Sequence, residues 1–306
     1  MLTSTAIAIF AYRRPEHLAR VISALSACPE ASGLPLIVYC DGPKGGDDVD
    51  AVAATVDVAR SIVGFGSVRT ITQDSNQGLT RSVVAGVTST LQQFERIIVL
   101  EDDLVVAPTF LTYTLAALDR YQAHPKVGAV HGYTPALKGL PQHYFIRGGD
   151  CWGWATWRDR WQLYRTDVAE LISELHRRRL AARFDSTGGA GMYLRLLKAH
   201  SGEWDSWAIR WHASLFLADR LSLHPGQSLV TNIGLDGSGT HGQRAAPAAV
   251  TATTGGWSGS LPDFDPVEDE QVRSLLVRHE RIGLTGRLNA GHSWLRRTLN
   301  HWSHFR

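Results

Sequence analysis

The sequence predicts an α/β protein built on a doubly wound, mostly parallel sheet. Short apolar runs alternate with amphipathic helical patterns over the first 125 residues, and each apolar run ends in a polar cluster. Such an alternation is typical of parallel sheets, because each helix returns the chain to the same edge. The 306 residues suffice for one large domain or two small ones.

Four apolar runs predict four buried strands, over 6–10, 35–40, 68–71 and 96–100. A helical pattern follows each of them. Pro15 favours the start of the first helix, because a proline in the first turn loses no intrahelical hydrogen bond. The predicted helices cover 15–27, about 48–63, the stretch from Val83 to Phe94, and 108–123.

The polar clusters lie where the predicted strands end. Doubly wound sheets bind ligands beyond the carboxyl ends of their strands, so clusters at this edge are candidates for one shared site. The clusters are Tyr12-Arg13-Arg14, Asp41-Gly42, Asp74-Ser75-Asn76 and Glu101-Asp102-Asp103.

The second half of the sequence is less regular, and it sets the predicted domain limits. One domain is expected over 1–245, with halves over about 1–125 and about 126–245. Residues 246–265 are rich in Ala, Pro, Thr, Gly and Ser, which predicts a linker or surface loop. A helical tail is expected over 266–306.

The composition excludes several classes of protein. A formal charge of +2, from 31 basic and 29 acidic residues, is too balanced for a dedicated nucleic-acid binder. Three widely spaced cysteines exclude a disulfide framework. The N-terminus has no signal-peptide pattern and no apolar run is long enough to span a bilayer, so we expect a soluble cytoplasmic protein.

Glu101-Asp102-Asp103 is the strongest candidate for chemistry. Three carboxylates repel one another unless a cation or hydrogen bonds compensate. Mg²⁺ and Mn²⁺ prefer such oxygens together with substrate phosphates. The motif therefore predicts a divalent metal site, and the alternative is a solvated acidic turn.

Asp41 and the loop over 74–79 predict a second part of the site. A carboxylate at Asp41 can accept hydrogen bonds from a ribose or a base, although Asp-Gly-Pro is also a common turn. Gly78 precedes a predicted helix and marks a natural place for an anion. This edge has neither a Walker A loop nor a GxGxxG pattern, which weakens the P-loop and dinucleotide interpretations.

Seven of the ten tryptophans fall between residues 152 and 211. Two sets repeat at i, i+3 and i+7, which predicts the core face of a helix for each. The sets are Trp154, Trp157, Trp161 and Trp204, Trp207, Trp211. Trp152 lies in a polar loop beside Gly153 and is a candidate for stacking on a sugar ring.

Further candidates lie later in the sequence. Glu203 and Asp205 flank Trp204, and an aromatic neighbour that desolvates a carboxylate raises its pKa, as a general base requires. The alternative for Asp205 is a helix N-cap. His241, in the glycine-rich loop over 232–242, is a candidate imidazole ligand for a metal, and the alternative is a plain flexible loop.

Taken in order, these motifs resemble nucleotide-sugar glycosyltransferases of the GT-A fold, which have a Rossmann-like sheet. The segments 11–16, 41–42 and 76–79 are similar to the large family 2 type. From Val99 onward the sequence is similar to the eukaryotic N-acetylglucosaminyltransferase that initiates complex N-glycans. The similar segments are Glu101-Asp102-Asp103-Leu104, Gly153-Trp154, Trp204-Asp205-Ser206-Trp207 and Thr240-His241-Gly242.

The resemblance implies roles for individual residues over about 5–245. Asp103 would hold Mn²⁺ or Mg²⁺ against the donor diphosphate, with His241 as a further ligand. The nucleotide half is 1–125 and the acceptor half is 126–245. The residues expected at the nucleotide are Arg14, Asp41, Asn76, Gly78 and Asp102, and those expected at the acceptor or sugar are Asp150, Trp152 and Trp154.

The resemblance also implies a base for an inverting displacement. The family segment is Trp-Asp-Asp-Trp, and Ser206 stands here in place of its second Asp. The base is therefore expected to be Asp205, with Glu203 second. The implied reaction moves a sugar from a nucleoside-diphosphate donor, preferably UDP, to a glycan or lipid-linked acceptor.

Two other functions compete with this interpretation. A non-catalytic GT-A domain would bind nucleotide or glycan without turnover. A sugar nucleotidyltransferase normally carries a glycine-rich phosphate loop after its first strand, and the segment Ala11–Glu16 contains no glycine.

The C-terminal tail alternates arginines with apolar residues. A basic amphipathic helix can lie on anionic lipid, so we expect peripheral contact with the inner face of the plasma membrane. The alternative is a helix packed on the domain or on a second subunit of a homodimer. The alternating residues are Arg278, Arg281, Leu284, Arg287, Leu288, Trp294, Leu295, Arg296, Arg297, Leu299, Trp302, Phe305 and Arg306.

Overall fold

An eight-stranded mixed sheet forms the centre of the molecule. The structure, a computed structural model, describes residues 5–185, 191–236, 256–257, 259–261, 263 and 265–288. The strands are β1 (Thr5–Ala11), β2 (Pro35–Cys40), β3 (Ser67–Thr72), β4 (Arg96–Glu101), β5 (Leu104–Val106), β6 (Val127–His131), β7 (His143–Arg147), β8 (Trp154–Trp157), β9 (Leu221–Pro225) and β10 (Val230–Asn232).

Helices cover both faces of this sheet. They are α1 (Pro15–Ser26), α2 (Val49–Arg60), α3 (Leu79–Gln93), α4 (Phe110–Tyr121), α5 (Arg158–Trp161), α6 (Val168–Arg177), α7 (Ala181–Asp185), α8 (Met192–Ser201), α9 (Trp207–Leu217) and α10 (Glu270–Leu288). Within the described ranges, none of these helices is long and apolar enough to cross a membrane.

The strand order of the large sheet is β3-β2-β1-β4-β8-β6-β9-β7, and β5 pairs with β10 in a separate two-stranded sheet. Four of the seven pairings in the large sheet are parallel, and β8 and β7 run antiparallel to their neighbours. The predicted α/β class with a mostly parallel sheet is therefore confirmed.

The central strand β1 explains why the sheet has helices on both faces. All seven of its residues are buried. Ile7 and Ile9 pack in a core with α1 and α4, whereas Ala8 and Phe10 pack in a second core with α3 and α9. A strand that is apolar on both sides is stable only when both sides are covered.

The antiparallel strand β8 brings the second half of the chain to the carboxyl edge. Its register pairs Val99 of β4 with Trp154, so the residues just before β8 lie beside the end of β4. The same edge receives the carboxyl ends of β1, β2, β6 and β9, because these strands run in the direction of β4. Most of the candidate residues thus share one edge.

The tryptophan spacing misled the sequence prediction. Trp154 and Trp157 lie in strand β8 rather than on a helix, and only Trp161 is helical, in α5. Residues an odd number apart on a strand face opposite sides, and accordingly Trp154 and Trp157 pack in different cores. In the other set, Trp207 and Trp211 lie on α9, and Trp204 precedes it.

The start of the tail packs on the domain. Val272 of α10 is buried against Tyr144 and Ile146, and the backbone N–H of Asp269 donates to Phe145 O at 2.8 Å. Trp257, in the predicted linker, donates its Nε1–H to His143 Nε2 at 3.0 Å. The rest of the amphipathic tail, from residue 289, lies outside the described residues.

Candidate active site

Three carboxylates gather where β4 ends. Glu101 is the last residue of β4, Asp102 and Asp103 form the turn between β4 and β5, and Asp102 is buried. Nη1 of Arg14 lies 2.9 Å from Oδ2 of Asp103 and 3.4 Å from Oδ1 of Asp102. The structure therefore joins the candidates from the first and fourth strands in one cluster, as the sheet topology predicts.

The cluster is short of positive charge. Burial, followed by repulsion from Asp103, raises the pKa of Glu101 to about 8 and that of Asp102 to about 7. The nearby Arg14 guanidinium opposes both shifts. Buried carboxylates with raised pKa values are frequent at functional sites, because the fold retains a charge arrangement that costs stability.

Asp103 carries the atom that best fits a metal ion. Its Oδ1 is buried and has no hydrogen-bond partner among the residues that the structure describes. Its Oδ2 lies so close to the backbone of Gly234 that a Cβ there would be 2.1 Å away. A buried carboxylate oxygen without a donor is costly unless a ligand completes it.

The described residues do not form a closed metal site. No group of three or more His, Cys, Asp or Glu side chains in this part of the chain could hold an ion. An Mg²⁺-like ion commonly keeps water and phosphate ligands and takes only one or two carboxylates from the protein. The Asp102–Asp103 pair suits an ion that binds with the substrate. His241 lies outside the described residues.

A strained loop after β1 holds Arg14 in place. Arg13 has φ +45°, a conformation rarely adopted by residues with a side chain. Asp48 ties this loop down, because it pairs with Arg13 Nη1 at 2.8 Å and accepts a hydrogen bond from the Tyr12 hydroxyl. The Tyr12 backbone N–H donates to Asp102 Oδ2 at 2.8 Å. In the sequence, Asp48 only begins a predicted helix, over about 48–63, and no pattern indicates its part in this arrangement.

Asp41 connects two loops of the nucleotide half. Its Oδ1 accepts hydrogen bonds from the backbone N–H groups of Gly42 and Gln77, at 2.9 and 2.7 Å, and its Oδ2 accepts from Gly78 at 2.9 Å. Asn76 Nδ2 donates to Gly42 O at 3.0 Å. The Gly78 N–H, at the predicted place for an anion, thus donates to the protein's own Asp41 carboxylate.

These hydrogen bonds limit the number of further hydrogen bonds that Asp41 can accept from a ligand. An ionised carboxylate has about four acceptor positions, and three of those on Asp41 are occupied by backbone N–H groups. Direct contact of Asp41, Asn76 or Gly78 with a nucleotide stays a prediction. Their observed contacts fix the shape of the loop beside the carboxylate cluster.

The segment before β8 supplies the other wall of the site. Oδ1 of Asp150 accepts a hydrogen bond from the Cys151 backbone N–H at 2.6 Å. The backbone N–H of Asp150 donates to Nε2 of the buried His131 at 3.2 Å. His131 stacks on His224, with ring centroids 4.7 Å apart. Burial lowers the pKa of both histidines, so they are neutral near pH 7. No pattern in the sequence indicates these two supporting residues.

The two tryptophans predicted at the acceptor, Trp152 and Trp154, differ in their surroundings. Trp152 is half-buried and meets Tyr133 edge to face at 4.5 Å, so part of its surface remains open to a ligand. Trp154 is 1% exposed and lies among Trp161, Trp207 and Trp211. Direct contact of Trp154 with a sugar is therefore contradicted, and its observed role is in the core.

The predicted base residues lie at the surface. Glu203 is exposed, and the Asp205 side chain is 68% exposed and pairs with Arg210 at 2.9 Å. The aromatic neighbour therefore does not desolvate either carboxylate as expected. Ser206, rather than Asp205, is the N-cap of α9, and its hydroxyl accepts the Ile209 N–H.

Asp205 nevertheless lines a groove that starts near the sheet edge. The groove has a volume of about 500 Å³ and runs along α3 from its first turn. Two of the eleven lining residues, Val84 and Ala85, are apolar, and the other nine carry a hydroxyl, amide or charged group. These nine are Thr80, Arg81, Thr88, Ser89, Gln92, Tyr164, Thr166, Asp205 and Arg210.

The sequence model of the family described as glycosyltransferase like family 2 matches residues 3–215, more than two thirds of the chain. The protein therefore belongs to this family. Its mostly parallel sheet and carboxyl-edge site agree with a GT-A, Rossmann-like glycosyltransferase fold. No protein of curated function matches the chain in sequence.

Several solved structures are similar over part of the chain. Residues 1–349 of TarS from S. aureus are 11% identical, with a TM-score of 0.35 over 51% of this chain and 47% of that one. The same protein in complex with UDP-GlcNAc is 14% identical, with a TM-score of 0.31 over 45% of this chain and 37% of that one. A cytidylyltransferase from Leptospira borgpetersenii is 9% identical, with a TM-score of 0.34 over 56% of this chain and 64% of that one. The chain thus spans less than two thirds of each.

Proposed function

We propose that this protein is a metal-dependent glycosyltransferase that uses a nucleoside-diphosphate sugar, with a UDP-hexose or UDP-N-acetylhexosamine preferred. The observation that carries the proposal is the buried Asp102–Asp103 pair with an unpartnered Asp103 oxygen, in a chain of the family 2-like glycosyltransferases. The acceptor is a hydroxyl group of a glycan or of a lipid-linked sugar.

The carboxylate pair is the proposed place for Mn²⁺ or Mg²⁺. Asp103 would hold the ion through its buried oxygen, with Asp102 beside it. A bound divalent ion supplies positive charge to the diphosphate as it leaves. A divalent ion would supply the positive charge whose shortage raises the pKa values of Glu101 and Asp102.

The transfer is proposed as a single displacement with inversion. A bond forms from the acceptor oxygen to the anomeric carbon while the bond from that carbon to the diphosphate oxygen breaks. The acceptor proton passes to a carboxylate, for which Asp205 is the first candidate and Glu203 the second. Asp205 lines the groove along α3, which gives an acceptor a route toward the sheet edge.

The acceptor contacts of Asp150 and Trp152, and a contact of the basic tail with lipid or a second copy of the chain, are also proposed. Asp150 and Trp152 stand at the acceptor wall, where a half-buried indole offers a face to a sugar ring. The basic tail is proposed to contact anionic lipid or a second copy of the chain. Co-sedimentation with anionic and neutral vesicles distinguishes these, because only lipid contact depends on vesicle charge.

Turnover tests the proposal directly. Release of nucleoside diphosphate from a panel of UDP-, GDP- and dTDP-sugars is measured with glycan acceptors and Mn²⁺. We expect one donor class to react, Asp103→Asn to lower kcat at least about 100-fold, and Asp205→Asn to lower it while nucleotide binding persists. Asp57→Asn, an exposed change on α2 outside the site clusters, is the matched control.

Two outcomes would contradict parts of the proposal. A fully active Asp205→Asn protein excludes Asp205 as the base and transfers the assignment to Glu203→Gln for the same measurement. Nucleotide binding without turnover of any donor would make the protein a non-catalytic GT-A domain, the second candidate function. The replacement of an expected aspartate by Ser206 favours that candidate.

A further inference from the structure

Arg14 occupies the position at which a cation would meet the carboxylate pair. A single nitrogen, Nη1, serves both Asp103 and Asp102, at 2.9 and 3.4 Å. All three side chains are largely buried, with 14%, 13% and 9% of their surfaces exposed for Arg14, Asp103 and Asp102. A guanidinium in this position neutralises part of the charge that a divalent ion would otherwise neutralise.

This contact leaves unused hydrogen-bond capacity on both the Arg14 guanidinium and the carboxylate pair. A guanidinium has five N–H donors on three nitrogens, and only Nη1 of Arg14 has hydrogen-bond partners in the part of the chain that the structure describes. On the other side, Asp103 Oδ1 is buried without a donor. The pair therefore has capacity for a cation, and the guanidinium has capacity for an anion.

The backbone at Arg13 has an unfavourable conformation that neighbouring contacts maintain. Arg13 has φ +45°, and its ion pair with Asp48, together with the Tyr12 hydrogen bonds, keeps the loop in that conformation. Strain of this kind persists where surrounding contacts impose it, and it makes a second arrangement of the loop accessible. Arg14 follows directly and precedes Pro15, which starts α1.

We propose that Arg14 is a positioning residue that holds the Asp102–Asp103 pair in the absence of metal and that turns to the diphosphate of the donor when a divalent ion binds. The proposal rests on the proposed function, since it names a diphosphate as the anion. In the absence of nucleotide, Arg14 and the divalent ion compete for the same carboxylates. With nucleotide, the two cations act together on the diphosphate.

Binding of Mn²⁺ alone tests the competition. The electron paramagnetic resonance signal of free Mn²⁺ is followed as wild-type protein, Arg14→Met and Arg20→Met are added, with no nucleotide. Arg14→Met is expected to bind Mn²⁺ at least about tenfold more tightly than wild type, because the competing guanidinium is gone. Arg20→Met is the matched control, because it removes the same charge from an exposed position of α1.

A second arm tests the role toward the diphosphate. The affinity for UDP is measured at saturating Mn²⁺, and we expect Arg14→Met to bind UDP at least about tenfold more weakly than wild type. The Asp103→Asn, Arg14→Met double variant must lose the gain in Mn²⁺ affinity, which shows that the ion binds at this pair.

The outcomes separate this proposal from the proposed function. Equal or weaker Mn²⁺ binding by Arg14→Met overturns the proposal, as does an equal gain in Arg20→Met or no Mn²⁺ binding by any of the proteins at millimolar concentration. Unchanged UDP affinity overturns the second role. None of these measurements uses turnover, so absence of sugar transfer would contradict the proposed function and leave the Mn²⁺ competition standing.

Discussion

At the residue scale, Asp41 shows how a carboxylate at the sheet edge is used by the fold itself. Its three hydrogen bonds from backbone N–H groups join the end of β2 to the loop that precedes α3. Gly42 is required beside it, because a Cβ there would lie 2.5 Å from the backbone of Ser75. The loop that forms part of the candidate site therefore depends on a buried charge.

This contact predicts a large loss of stability on truncation. Asp41→Ala leaves three backbone N–H groups without their acceptor and should lower the free energy of unfolding by about 3 kcal/mol. Urea denaturation of both proteins measures the difference. Asp74→Ala, in the exposed part of the same loop, should change it by less than about 0.5 kcal/mol. Equal losses in the two variants would contradict the assigned role.

The sequence identified most of the residues at the edge but not their contacts. Arg14, Asp102 and Asp103 could be predicted to lie together, because their strands are neighbours with the same direction. The hydrogen bonds from backbone N–H groups to Asp41 could not be predicted. A carboxylate can accept equally well from a ribose hydroxyl and from a backbone N–H, and local sequence does not show which donor is present. The burial of His131 and His224 depends on strands whose pairing local sequence does not encode.

At the scale of elements, β8 determines how the two halves of the chain meet. It lies between β4 and β6, antiparallel to both, and carries Trp154 and Trp157 into opposite cores. The i, i+3, i+7 spacing of its tryptophans matches a helix, but three of the four residues in Trp-Ala-Thr-Trp are β-formers, and pairing on both edges favours the strand. Periodicity alone could not decide between the two.

The position of Trp154 leads to a prediction that separates packing from sugar binding. Trp154→Ala should lower the free energy of unfolding by about 3–5 kcal/mol, because it empties the centre of an aromatic cluster. Trp152→Ala should cost less, because that ring is only half-buried, and should weaken acceptor binding. Urea denaturation and the acceptor KM measure the two effects. Equal destabilisation with an unchanged KM would contradict the distinction.

At the scale of the whole molecule, one sheet edge collects the candidate chemistry. β1, β2 and β4 deliver Arg14, Asp41 and the carboxylate cluster, and β8 delivers Asp150 and Trp152 from the other half. The alternation of strands and helices predicted this edge for the first half. The second half could not be predicted in the same way, because its antiparallel strands obey no simple alternation.

The central claim is that Asp103 makes a metal-dependent site for a nucleoside diphosphate. The most direct measurement is thermal unfolding of wild type and Asp103→Asn with UDP, GDP, dTDP, CDP and ADP, each with and without Mn²⁺. A ligand at 100 times its Kd stabilises the native state by about 2.7 kcal/mol. At about 2.1 cal/mol/K of unfolding entropy per residue, this raises the Tm of a 306-residue protein by roughly 4 °C. We predict such a shift for wild type with one nucleotide, UDP first, only when Mn²⁺ is present, and none for Asp103→Asn. A shift of equal size without Mn²⁺, or one that persists in Asp103→Asn, would contradict the claim.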